Sequence, residues 1–121
     1  MTRPTVFSAD IGGYGGPSYS VKLVGDTLRY EHTRDGTLLD AEMFEPTSAQ
    51  WGAFLASLEA AQVWSWKRRY HGAGIVDGTS WSFVLEAGGR RKKSGGSNDF
   101  PPTFDQAMGA ISQLVGGRDF R

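Results

Sequence analysis

Tyr19-Ser20-Val21-Lys22-Leu23-Val24-Gly25-Asp26-Thr27-Leu28-Arg29-Tyr30-Glu31-His32 is the stretch on which the fold turns. A Gly-Asp pair between two alternating runs signals a two-residue hairpin turn, with Gly first because a type II′ turn needs positive φ there. Pairing about Gly25-Asp26 sets Leu23 opposite Leu28, Val21 opposite Tyr30 and Tyr19 opposite His32, all on one face. Lys22 opposite Arg29 and Ser20 opposite Glu31 fall on the other. A slip of one residue would turn the whole apolar set into water, so the register is strongly specified.

Reading outward extends the pattern. Upstream, Phe7, Ala9 and Ile11 alternate with polar positions, which predicts a strand over Thr5 to Ile11, followed by a loop from Gly12 to Pro17. Downstream, Asp35-Gly36 reads as the next turn. Leu39, Ala41 and Met43 then alternate with Asp40 and Glu42, predicting another strand of the meander.

Two helices follow the same logic. Thr47 and Gln50 have capping-box spacing, and Trp51, Phe54, Leu55 and Leu58 form a stripe of helical period. Thr103 and Gln106 repeat the spacing ahead of Phe104, Ala107, Met108, Ile111, Leu114 and Val115, and Gly116-Gly117 supplies the stop. Between the helices, Trp66 to Tyr70 reads as a short strand. Thr79 to Ala87 reads as a longer one that turns at Gly88-Gly89 into Arg90-Arg91-Lys92-Lys93. That pairing puts Lys92 opposite Leu85 on the apolar face, a conflict that an edge position with lysines reaching water would relieve. The order of meander, helix, hairpin, helix predicts an α+β fold. Its antiparallel sheet is built from the β-meander and the second hairpin, and both helices pack on one face.

A chain of 121 residues has the size of one domain, 1–121. Its formal net charge of zero argues against nucleic-acid binding by global charge. Cysteine is absent, which excludes disulfides, thiolate metal sites and a Cys nucleophile and fits a reducing, cytoplasmic compartment. The first residues hold no signal-peptide apolar run, and no stretch approaches the ~18 apolar residues of a membrane span. Beneath the zero total, residues 26–63 carry seven acids and two bases, whereas residues 64–93 carry seven bases and two acids. Such a dipolar layout favours a charged partner or self-association.

Chemistry-bearing residues concentrate between Trp64 and Phe104. Lys67-Arg68-Arg69 and Arg90-Arg91-Lys92-Lys93 lie near Trp64, Trp66, Tyr70 and Trp81, a mixture that can hold phosphates and stack on bases. His71 and Asp77 flank a Gly-rich loop and could exchange protons, with Ser94, Ser97 and Asn98 downstream. Their spacing matches no nucleophile-elbow or triad signature. The Gly12-Gly13-Tyr14-Gly15-Gly16 run lacks the Lys-Ser/Thr of a phosphate loop and precedes a strand. His32 and His71 stand far apart without clustered carboxylates, so neither a metal nor a cofactor is expected. Candidate binding residues are Trp66, Arg68, Tyr70, His71, Asp77, Arg91, Lys93 and Asn98.

The pattern Trp64-Ser65-Trp66, Tyr70, Asp77-Gly78-Thr79-Ser80-Trp81 and Gly96-Ser97-Asn98-Asp99-Phe100-Pro101 resembles small bacterial α+β domains of unknown function. Those domains close a hairpin with a G-S-N-x-aromatic-Pro segment before the last helix. The likeness spans roughly residues 47–116. It implies the fold and a bacterial origin, and it brings no catalytic residue. The leading expectation is a small non-enzymatic interaction domain, of an accessory, immunity or defence-associated kind. It would bind a protein or a second copy through the 64–71, 77–81 and 90–98 segments. The alternatives are single-stranded nucleic-acid binding by the basic hairpin and a small enzyme using His71 and Asp77.

Overall fold

In a computed structural model, which describes residues 3–13, 15–72 and 78–121, four consecutive strands form the meander. They are β1 (Val6–Gly13), β2 (Pro17–Val24), β3 (Thr27–Arg34) and β4 (Thr37–Phe44). The β2–β3 register pairs Leu23 with Leu28, Val21 with Tyr30 and Tyr19 with His32, as alternation requires. Gly25 sits at φ 65° in that turn. Helix α1 (Ser48–Ala60), a single 3-10 turn (Val63–Ser65), β5 (Arg69–His71), β6 (Thr79–Ala87), β7 (Arg90–Ser97) and α2 (Phe104–Leu114) complete the chain.

The seven strands make one sheet in the order β4-β3-β2-β1-β6-β7-β5. All neighbours are antiparallel except β5, which runs parallel to β7. Both helices lie on the face carrying Phe7, Ala9, Ile11, Val21, Leu28, Tyr30, Trp81, Phe83 and Leu85, which with Trp51, Phe54, Leu58, Phe104, Ile111 and Leu114 form one buried cluster. The fold is therefore α+β.

Four local expectations change. Gly12-Gly13 lies inside β1 rather than in a loop. Thr103 does not cap α2 with its side chain; its hydroxyl donates to the Ala61 carbonyl and accepts from the Trp66 indole. The return strand β7 is an edge only in part, because β5 adds outside Gly95–Ser97 and leaves Arg90–Lys93 without a strand partner on that side among the described residues. Lys92 accordingly lays its stem along the core rim and donates to the Trp66 carbonyl at 2.8 Å, the usual way a lysine covers apolar surface while keeping its head hydrogen-bonded. Finally, Leu39 and Met43 face away from the helices. A bulge between His32 and Thr33 and the pairing of Leu28 with Phe44 turn Phe44, Glu42 and Asp40 toward the helix side instead. There Arg118 pairs with both Asp40 and Glu42.

Candidate functional site

The face opposite the helices is built by the polar half of the strand alternation. Directly paired residues share a face, so the register orders this surface in rows. One row runs Arg69, Gly95, Ser82, Asp10, Ser20, Glu31, Ala41. The next runs His71, Ser97, Ser80, Gly12, Ser18, Thr33, Leu38. A third runs Lys93, Val84, Ser8, Lys22, Arg29, Met43. Hydroxyls therefore recur through the middle, Arg69, His71 and Lys93 gather at the β5–β7 end, and on β1–β3 the carboxylates of Asp10 and Glu31 alternate by row with the cations of Lys22 and Arg29.

Two concavities open on this surface. The larger, about 710 Å³, is lined by Asp10, Ser18, Ser20, Glu31, Thr33 and Ser80 among others. Ser82 donates to the Asp10 carboxylate at 3.2 Å at its margin. The smaller, about 280 Å³, is lined by Arg68, Arg69, His71, Ser82, Lys93 and Ser97 around Gly95. A side chain at Gly95 would stand 3.0 Å from the Trp81 carbonyl. The bare glycine therefore leaves a floor between Arg69 and Ser82. Arg68, Arg69, His71 and Lys93 are all exposed, and none of them takes part in an ion pair among the described residues.

The sequence candidates divide. Arg68, His71 and Lys93 meet at this groove. Trp66 does not: it is 5% exposed and packs edge-on against Trp81, itself 5% exposed, at 5.8 Å between rings. Tyr70 is half-buried beside Trp81, with its hydroxyl accepting from the Lys67 backbone N–H at 2.9 Å. Arg91 is held by Glu86 at 2.9 Å. Asn98 is a backbone brace. It adopts φ 55°, its Oδ1 accepts from Thr79 N–H at 2.9 Å and its own N–H donates to the Thr79 carbonyl. Ser94 is buried and donates to the Lys67 carbonyl. Asp77 lies outside the described residues. Trp64 is also engaged: its indole donates to Glu59, and Arg90 stacks on its ring at 4.2 Å. The Arg90 hydrogen bond, followed by that of Trp64, holds the Glu59 carboxyl below its ordinary range.

Sequence reasoning named Arg69 only as part of a basic run and missed Ser82 and the Asp10–Ser20–Glu31 row. The signal was present as serines at every second position (Ser8; Ser18 and Ser20; Ser80 and Ser82), a polar face written with strand period. What joins them is the pairing of β1 with β6, which no local pattern specifies.

Compared with protein-family models and with curated proteins, the chain matches none. No helix among the described residues is long and apolar enough to cross a membrane.

Proposed function

We propose that this chain is a small cytoplasmic binding domain whose partner is a protein with an acidic surface, received at the basic end of the open sheet face. The observation that carries the reading is the exposed set Arg68, Arg69, His71 and Lys93 around the Gly95 groove, on the face the helices leave uncovered. The charge layout supports it. The outermost strand β4 carries Asp40 and Glu42 and no base at one end of the sheet, and the base-rich segment supplies β5 and β7 at the other. Oppositely signed ends steer and orient a charged partner.

Nucleic-acid binding draws less support. Base stacking needs accessible rings, and Trp66 and Trp81 are buried while Trp64 lies beneath Arg90. The test places a photo-crosslinking residue at Arg69 or Lys93, and at exposed Gln106 on the outer side of α2 as control, in cells that make the protein. Protein adducts from the first two positions and not from Gln106 are expected. Adducts confined to Gln106, or a single-stranded oligonucleotide shift that falls steeply with salt without protein adducts, would overturn the reading.

A further inference from the structure

The two edges of the sheet are guarded very differently. On one side the outermost strand is β5, only three residues long and preceded by Lys67-Arg68. Short length and lysine or arginine are the usual protections of an unpaired edge. On the other side β4 presents eight residues with no strand beyond it among the described residues. Its open-face side chains are apolar and uncovered: Leu38 is 53% exposed, Leu39 55% and Met43 52%, with exposed Ala41 between them. Four acids and no base occur from Asp35 to Glu45. Among the described residues, Arg118 alone answers Asp40 and Glu42 from the helix side.

From these observations we propose that β4 is a strand-accepting edge that takes an extended segment of another protein in which apolar and basic residues alternate. An added strand gains backbone hydrogen bonds from the free edge, while its alternate side chains read the two faces. Apolar residues of the segment would lie over Leu39, Ala41 and Met43. The basic residues between them would face Asp40 and Glu42. A second copy fits less well. In an antiparallel pairing that keeps Leu39 opposite Met43, Asp40 stands opposite Glu42 twice over. Four carboxylates then meet across the seam with two Arg118 side chains between them, and like charges directly opposed destabilise a sheet.

The test titrates the full chain with a peptide of about ten residues alternating Val and Lys, long enough to match the eight-residue edge. One comparison peptide alternates Val and Glu, and another has the Val/Lys composition in two blocks. Fluorescence anisotropy reports affinity and amide chemical shifts report location. The alternating Val/Lys peptide is expected to bind best, with shifts centred on β4. Leu39→Lys and Met43→Lys, each at an exposed position that spares the fold, are each expected to weaken it at least about tenfold, on the scale of hot-spot losses. Four results would overturn the proposal. They are equal binding of the block or glutamate peptide, indifference to Leu39→Lys, shifts confined to the Arg69–Lys93 groove, and a dimer of the chain alone that Leu39→Lys dissolves.

Discussion

The indole Nε1 of Trp66 donates to the Thr103 hydroxyl at 3.0 Å, and that hydroxyl donates onward to the Ala61 carbonyl at 2.6 Å. One side chain thus joins the end of α1, the start of α2 and the buried tryptophan beneath β7. Thr103→Val keeps the shape and removes both bonds, leaving an indole N–H and a carbonyl unpaired in a largely water-free place. A loss of about 1–3 kcal/mol is expected. Chemical denaturation measures it, and Thr103→Ser should recover most of it.

Thr47 has the same spacing to Gln50 that Thr103 has to Gln106, yet it does what the spacing promises. Its hydroxyl accepts from Gln50 N–H at 3.1 Å, and Gln50 Oε1 accepts from Thr47 N–H at 2.8 Å. Thr47→Ala should cost about 1 kcal/mol, the ordinary worth of a cap. The ratio between the two variants, read in the same denaturation experiment, separates a surface cap from an interior bridge.

Gly96 is where β5, β7 and Trp81 come closest. A Cβ there would stand 2.6 Å from the Tyr70 carbonyl, 2.8 Å from the Trp81 indole nitrogen and 2.9 Å from the Asp99 carbonyl. It would crowd the bond that Trp81 Nε1 makes to Asp99. Gly96→Ala should destabilise by about 1–3 kcal/mol, as overpacking does, and should change the near-ultraviolet circular dichroism of the buried tryptophans. An unchanged spectrum with wild-type stability would contradict the packing described.

Alkaline pH should loosen the fold through Tyr30. Burial, followed by Asp40, Tyr19 and Asp119, pushes its phenol from 10.0 up to about 12. The unfolded chain therefore releases this proton first. The stability held by the neutral phenol is complete below about pH 10 and is lost as pH rises through about 12. Tyr30→Phe forgoes the hydroxyl bond to the Asp119 carbonyl at 2.6 Å and should be weaker at neutral pH by about 1 kcal/mol. Its stability should then fall less steeply between pH 10 and pH 12. Parallel urea titrations of the two proteins at several pH values check this.

Much of the fold was legible in local pattern. The β2–β3 and β6–β7 registers follow from alternation about their turns. In the second, Gly88 and Gly89 both take positive φ, as a two-residue hairpin of type I′ requires. Both helical stripes point to the core as their period demands. The candidate site was half legible. Arg68, His71 and Lys93 meet, but Trp66, Arg91 and Asn98 are occupied in packing, ion pairing and bracing. A tryptophan beside arginines looks the same in sequence whether its ring points to ligand or to core.

What the chain determined by itself depends on neighbours a few residues away: the helical and hairpin periods, the turns at Gly25-Asp26 and Gly88-Gly89, the Thr47 cap and the sign of charge along each segment. Only the tertiary structure decided that β1 lies beside β6, that β5 closes the sheet beyond β7, and that β4 is left open with its leucines outward. Those outcomes rest on which strands meet across long stretches of chain. Pairing between strands so far apart in the chain buries one shared apolar face under the helices, and that long-range match leaves no periodic trace in the sequence.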